Sequence, residues 1–123
     1  MKSKTKIKWA KQAEEHDYPA AKSYLSLIYD DKIATDFVNK LKKARIREFK
    51  AKDIFRASSV SLLGISNLHV ETDRKKIKKG LEISPILLVR DSKNGKVIIA
   101  DGYHRLCAVY SFNEDATIPC KIV

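Results

Sequence analysis

Residues 96–110, Lys96-Val-Ile-Ile-Ala-Asp-Gly-Tyr-His-Arg-Leu-Cys-Ala-Val-Tyr110, decide how this chain is interpreted. An apolar run leads into Asp101-Gly102, and a segment of helical composition follows. The pattern predicts a buried strand, a sharp turn and a helix whose first turn holds Tyr103, His104 and Arg105. Because such a turn carries free backbone N–H groups and the positive end of the helix dipole, it predicts an anion site, above all for phosphate.

Each residue of this turn allows a functional and a structural interpretation. Arg105 can grip phosphate oxygens through two parallel hydrogen bonds, or it can pair with a carboxylate. His104 can donate to phosphate or act as a general acid or base, because the pKa of imidazole lies near neutrality. Gly102 allows a positive φ or the close approach of a phosphate. Asp101 can cap the helix, hold Arg105 or coordinate Mg²⁺. Tyr103 can stack on a base, stack on a neighbouring ring or cover the turn.

A second candidate stretch is Asn67-Leu-His-Val-Glu-Thr-Asp-Arg74. His69 and Glu71 are two residues apart, so in an extended loop they would face one side and could pair as a base and its orienting group. Residues 71–79 predict a short basic helix, which ends at Gly80.

The rest of the chain predicts an α+β fold with a small mixed sheet and flanking helices. Residues 6–15 predict one helix, and two more are predicted to follow, one capped by Asp17 and one capped by Asp30 or Asp31. They form a basic N-terminal extension (1–45) that packs on the sheet or on a second copy of the chain, and residues 46–123 form the domain itself, as one compact unit. The other predicted elements are a strand at 46–49, a turn at 53–55, a loop at 58–66, a hairpin of 84–91 and 96–100, a helix at 105–112 and a strand at 118–123.

Composition limits the class of protein. The chain has 123 residues, of which 44% are hydrophobic, so one domain with a real core is expected. No apolar run approaches the roughly 18 residues that a membrane span needs. The start of the chain is basic and has no apolar stretch behind it, which is unlike a signal peptide. A cytoplasmic protein is expected, with Cys107 and Cys120 as buried thiols.

The net charge is +10, and its distribution is uneven. Residues 84–123 hold five Lys or Arg and four Asp or Glu, so nearly all of the excess lies in residues 1–83, including 74–79. Such a surface attracts polyanions such as nucleic acid, and it is equally typical of a solvated, lysine-rich exterior.

The segment Asp101-Gly102-Tyr103-His104-Arg105, with a strand pair before it and Leu-Cys-Ala after it, resembles the signature box of the ParB/sulfiredoxin superfamily. It differs from the Asp-Gly-His-His-Arg box of the free-serine kinases only at Tyr103. Sulfiredoxins hold their reactive cysteine at that position, which argues against sulfiredoxin chemistry here. The resemblance extends from Ile46 to the end of the sequence and implies a ParB/sulfiredoxin-like domain.

The resemblance implies that the box binds the phosphates of ATP, ADP or CTP with Mg²⁺, and that the chain is a candidate small phosphotransferase or nucleotide hydrolase. The binding residues so implied are Asp101, Gly102, Tyr103, His104, Arg105 and His69. The candidate catalytic residues are His104, Glu71 and Glu48, where Glu48, on the first predicted strand of the domain, is the best positional candidate for the glutamate base of the serine kinases. No metal site built from side chains alone is predicted.

Two alternatives stay open. The chain can be a non-catalytic, ParB-like accessory protein that binds DNA through its basic N-terminal helices, although no helix-turn-helix segment follows the last predicted strand. It can also be a domain whose box is only a structural turn and which acts through protein contacts, for example as a homodimer. One fold hosts many activities, so the residues of the site must discriminate among these alternatives.

Overall fold

The computed structural model describes residues 6–64 and 67–123. Within them the helices are α1 (Asp17–Leu25), α2 (Asp31–Lys43), α3 (Ala51–Ser58), α4 (Leu68–Lys78) and α5 (Tyr103–Phe112). The strands are β1 (Lys8–Trp9), β2 (Arg47–Lys50), β3 (Glu82–Ile83), β4 (Ile86–Asp91), β5 (Lys96–Asp101) and β6 (Thr117–Ile122).

The main sheet has four strands in the order β2-β6-β4-β5. Strand β6 runs antiparallel to β2 and parallel to β4, and β4 forms an antiparallel hairpin with β5. The short strands β1 and β3 make a separate parallel pair. A mixed sheet with helices around it confirms the predicted α+β class.

Helices cover both faces of the main sheet, because successive residues of a strand point to opposite sides. In β4, Leu87 and Val89 belong to an apolar cluster with residues of α1 and α2. Ile86 and Leu88 belong to a second cluster with residues of α3, α4 and α5. The polypeptide therefore forms three layers, and the hairpin that leads to the box lies in the middle layer.

Local side-chain signals set several element boundaries. Asp30 caps α2, as predicted, by accepting a hydrogen bond from the Ile33 N–H at 2.9 Å. Asn67 caps α4 by accepting hydrogen bonds from the N–H groups of His69 and Val70. Helix α4 consequently begins three residues earlier than predicted, and this brings His69 onto the helix.

Residues 6–15 do not form the predicted helix. Strand β1 pairs with β3 there, and the Ala10 N–H donates to the Ile83 carbonyl at 2.9 Å. Long-range strand pairing outweighs the helical composition of this segment. The role predicted for Asp17 as a cap is also wrong: Asp17 is the first residue of α1, and its carboxylate is buried.

The turn predicted at 53–55 is wrong as well, because these residues lie inside α3. Ala51 and Ile54 are one helical turn apart and are both buried, so packing on the sheet stabilises a helix here. Residues 59–64 form part of the predicted loop, whereas residues 65 and 66 lie outside the described residues.

Both cysteines are free, buried thiols, as predicted. Burial raises the pKa of Cys120 to about 12 and also raises that of Cys107. Within the described part of the chain, none of the helices is both long and apolar enough to cross a membrane.

Candidate anion-binding site

The turn between β5 and α5 depends on Gly102. This residue has a φ of 107°, which confirms the predicted positive value. A Cβ atom added here would lie 2.9 Å from Cγ1 of Ile86 and 3.0 Å from Nη2 of Arg105. Glycine is therefore required both by the backbone conformation and by the close packing beneath the turn.

The N-terminus of α5 is open. Gly102 is its N-cap residue and supplies no side-chain hydrogen bond, and the first intrahelical bond runs from the Leu106 N–H to the Gly102 carbonyl at 2.9 Å. The N–H groups of the first turn, at residues 103–105, have no acceptor within the helix, as at the start of any α-helix. Together with the helix dipole they favour an anion at this end of the helix.

A cavity of about 260 Å³, here called the polar pocket, lies at this helix end and against α4. Its lining residues are His69, Thr72, Asp73, Lys76, Asp101, Gly102, Tyr103, His104 and Arg105. The contributions from α4 are spaced by three or four residues, so they share one face of that helix. Every binding residue implied by the resemblance lies in this lining.

Two imidazole rings meet in the polar pocket. The ring centroids of His69 and His104 are 4.8 Å apart, and the ring planes are tilted by 45°. The neighbouring Tyr103 ring lies 5.4 Å from that of His104. Two groups that can each donate a hydrogen bond to an anion thereby lie side by side at the open end of α5, one from each helix.

The charges of the polar pocket influence one another. Burial lowers the pKa of His104, and the neighbouring His69 lowers it further. Asp73 and Arg105 act on this pKa in opposite directions, because the carboxylate raises it and the guanidinium lowers it. Burial also raises the pKa of Asp73, against the opposing effects of Arg105 and Lys76. Both ionisable groups are thus shifted toward their neutral forms.

Arg105 is held from below the turn. Its Nη2 donates to the Asp101 carboxylate at 3.1 Å and to the Pro85 carbonyl at 3.1 Å. The same atom lies 3.8 Å from Oδ2 of Asp17. Its Nε is buried and has no hydrogen-bond partner among the described residues. The ion pair with Asp101, one of the two interpretations from sequence, is therefore present.

Asp101 holds Arg105 and does not cap α5. Burial raises the pKa of Asp101 to about 6. Arg105 opposes the shift and the nearby Asp17 carboxylate adds to it. A carboxyl group that titrates near neutrality thus lies beside the open helix end.

Tyr103 covers the turn and contacts a neighbouring ring. Its hydroxyl donates to the Ser61 carbonyl and so ties the 59–64 loop to the first turn of α5. Burial raises the pKa of this phenol. Tyr103 also lines a larger cavity of about 730 Å³, here called the β5 groove, which lies between α1, β5 and residues 58–61. The β5 groove and the polar pocket share residues 101–104.

Glu71 and Glu48 are not part of this arrangement. Oε2 of Glu71 lies 3.8 Å from Nε of Arg74, one helical turn away on α4. Because His69 and Glu71 are two positions apart on a helix, they do not face the same side, and the pairing expected for an extended loop is wrong. Glu48 lies on β2 and lines a separate cavity of about 550 Å³ together with Trp9.

Four residues at or beneath the site were not found by sequence reasoning, namely Asp17, Thr72, Asp73 and Lys76. Asp73 and Lys76 share the face of α4 that carries His69, and helical spacing would have identified them once the helix was begun at Leu68. Asp17 is far away in the chain, and no local signal connects it with Arg105.

Among the described residues, no group of three or more His, Cys, Asp or Glu side chains is placed to hold a metal ion. The chain matches no protein-family model, no curated protein and no solved structure. The geometry of the polar pocket therefore carries the functional argument.

Proposed function

We propose that this chain binds a nucleotide, ATP, ADP or CTP, and holds its phosphate groups in the polar pocket. One observation carries the proposal: the N-terminus of α5, which carries His104, shares a single cavity with His69 and Lys76 of α4. Backbone N–H groups, an ammonium and imidazole N–H groups are the donors that phosphate oxygens favour.

Each donor has a distinct task in this proposal. The N–H groups of residues 103–105 bind one phosphate at the helix end. Lys76 neutralises charge from the facing helix, and the imidazoles of His104 and His69 donate hydrogen bonds to phosphate oxygens. Nη2 of Arg105 is occupied by Asp101 and Pro85 and its Nε is buried, so Arg105 contributes less directly than the sequence predicts.

Mg²⁺ fits this arrangement as an ion held mainly by phosphate. Magnesium in nucleotide sites commonly takes one or two carboxylates, the phosphates and water, so a preformed cluster of three side chains is not needed. Asp73 would be the protein ligand, because it lines the polar pocket whereas Asp101 is paired with Arg105. When bound, the ion would neutralise phosphate charge.

The proposal includes membership of the ParB/sulfiredoxin superfamily. The hairpin β4–β5, the box, helix α5 and the final strand β6 follow one another in the order that the resemblance requires. The enzymatic form of the proposal is a small phosphotransferase or nucleotide hydrolase, in which His104 is the candidate acid or base. The nucleoside would lie toward the β5 groove, against the ring of Tyr103.

Calorimetric titration with ATP, ADP and CTP in the presence of Mg²⁺ tests the proposal. We expect micromolar binding by the wild-type protein and clearly weaker binding by Lys76→Gln. Lys75→Gln is the matched control, because it removes the same charge from the next position of α4, outside the lining of the polar pocket. Equal weakening by both variants would indicate a diffuse charge effect, and absence of binding to all three nucleotides would refute the proposal.

Exposed cations favour nucleic acid as a second candidate ligand. Lys40, Lys43, Arg45 and Arg47 are all exposed and follow one another from the last turn of α2 into β2. Binding of duplex DNA that weakens steeply between low and moderate salt, and that Lys43→Gln and Arg45→Gln reduce, would support it. DNA binding without nucleotide binding would favour this function over the first.

A further inference from the structure

A buried polar cluster lies beneath the first turn of α5. Asp17 is only 2% exposed, and Ser84 is 4% exposed. The Ser84 hydroxyl donates to Oδ2 of Asp17, and the Glu14 N–H lies 3.2 Å from that same oxygen and donates to it. The Asp17 carboxylate is thus fixed by α1, by the turn before it and by the segment between β3 and β4.

This fixed carboxylate lies next to Arg105. Oδ2 of Asp17 is 3.8 Å from Nη2 of Arg105, the atom that also donates to Asp101 and to the Pro85 carbonyl. Three oxygens from three parts of the chain therefore surround one nitrogen. The guanidinium cannot move far from this position without leaving the buried Asp17 carboxylate and the partly buried Asp101 carboxylate poorly compensated.

The position of the guanidinium matters for the turn above it. Nη2 of Arg105 would lie 3.0 Å from a Cβ atom at Gly102, so the guanidinium packs directly against the residue that begins α5. Arg105 itself lies in the first helical turn. Movement of this side chain would change how the N–H groups of residues 103–105 face the polar pocket.

We propose that Asp17 is a positioning residue for the anion site, which it supports from α1 by holding Arg105 beneath the Asp101–Gly102 turn. Asp17 does not line the polar pocket, so it acts through Arg105 and not on the ligand. The inference rests on the proposed function, since it concerns how the same site is held in shape. It links the N-terminal helix, for which the resemblance implies no role, to the box.

The charge of Asp17 also influences the pKa of Asp101. Two carboxylates share one guanidinium, and the Asp17 charge adds to the burial that raises the pKa of Asp101 to about 6. The charged or titratable groups around Asp101 are Arg105 and His104 on α5, Asp17 on α1 with His16 beside it, and His69, Asp73 and Lys76 on α4. Removal of the Asp17 charge at constant shape is expected to lower the pKa of Asp101.

Sulfate is a suitable probe, because its charge is constant from pH 5 to 8. We expect Asp17→Asn to bind sulfate about tenfold more weakly than the wild-type protein, because Arg105 is no longer held beneath the turn. Loss of a negative charge alone would have the opposite effect and tighten binding. Carbon-13 NMR of the Asp101 carboxyl group provides the second readout, and its inflection should fall below about 6 in the variant.

Two further variants complete the test. Asp31→Asn removes a carboxylate that is 83% exposed, and it should leave both sulfate affinity and the Asp101 titration unchanged. Ser84→Ala keeps every charge but removes the hydroxyl that holds Asp17, so it should weaken sulfate binding by a smaller factor. It replaces Asp17→Asn as the deciding variant if the latter does not fold.

The outcomes separate the two proposals. Folded Asp17→Asn or Ser84→Ala that binds sulfate as tightly as the wild-type protein, or more tightly, overturns the positioning role and leaves the proposed function intact. A wild-type protein that binds neither sulfate nor any nucleotide overturns the proposed function and the positioning role with it.

Discussion

The imidazole rings of His69 and His104 lie 4.8 Å apart, although one comes from α4 and the other from α5. The packing of these two helices sets this distance. The Arg74 guanidinium lies 4.3 Å from the Phe112 ring centroid, and it also donates to the Ser111 hydroxyl. The helix pair thus brings a second histidine to the box.

The pH dependence of anion binding should report on His104. Its pKa is lowered, chiefly by burial, so the imidazole gains its positive charge at a lower pH than an ordinary histidine does. Sulfate binding should therefore tighten as the pH falls from 7.5 to 5. Calorimetry at several pH values would measure the slope.

His104→Gln should make this slope shallower without abolishing it. Asp101 also gains a proton in the same range, with a pKa of about 6, and its loss of negative charge favours an anion. An identical slope in the wild-type protein and in His104→Gln would show that the imidazole takes no part in binding.

Gly102→Ala should destabilise the fold by about 1–3 kcal/mol, because it combines a strained φ with a contact of a new methyl group. The methyl group would lie 2.9 Å from Cγ1 of Ile86. Urea unfolding of the variant measures the loss, and sulfate binding should fall with it.

Gly95→Ala is the matched control for this substitution. Gly95 also has a positive φ, of 65°, but no heavy atom lies within 4 Å of an added Cβ atom. The control therefore carries backbone strain without the clash. If both variants lost the same free energy of unfolding, the space beneath Gly102 would not be restricted.

Tyr103→Phe should loosen the 59–64 loop. The substitution removes the hydroxyl that donates to the Ser61 carbonyl, at a cost of about 1 kcal/mol. Amide hydrogen exchange in the loop should become faster while exchange in the main sheet is unchanged. In Tyr110→Phe the ring that packs against Phe55 remains, and the loop should exchange as in the wild-type protein.

Asp101→Asn should stabilise the fold at neutral pH. The folded protein raises the pKa of Asp101 from 3.8 to about 6, so the native state favours the uncharged form. The stability that this proton supplies is present below pH 3.8 and is lost as the pH rises through about 6. Asparagine stays uncharged, so the variant does not lose this stability as the pH rises.

Thermal unfolding between pH 4 and 8 tests this expectation. The melting temperatures of the wild-type protein and of Asp101→Asn should be closest at the acid end and should diverge, in favour of the variant, above about pH 6. Lower stability of the variant at pH 8 would mean that the ion pair with Arg105 outweighs the cost of burying the charge.

Sequence alone predicts the elements whose signals are local. The hairpin turn at 92–95, the positive φ of Gly102 and the helix after it depend on a few neighbouring residues, and the structure has all three. The cap at Asp30 is equally local, because a side chain and an N–H group three residues apart suffice.

Prediction fails where distant segments compete with local preference. Residues 6–15 have helical composition, yet pairing of β1 with β3 determines their conformation. The start of α4 at Leu68 rather than at Glu71 places His69 on the helix, on the same face as Asp73 and Lys76. Local periodicity does not contain this information.

The sequence by itself determined the strand, turn and helix that carry Asp101–Arg105, because steric limits on φ and hydrogen bonds between near neighbours specify them. Only the tertiary structure decided which charges meet there. Asp17 reaches Arg105 from α1, and His69 reaches His104 from α4, through the packing of helices on a sheet. The strength of an electrostatic interaction depends on the distance between the charged groups. The packing of the whole core sets that distance, and no short segment does so alone.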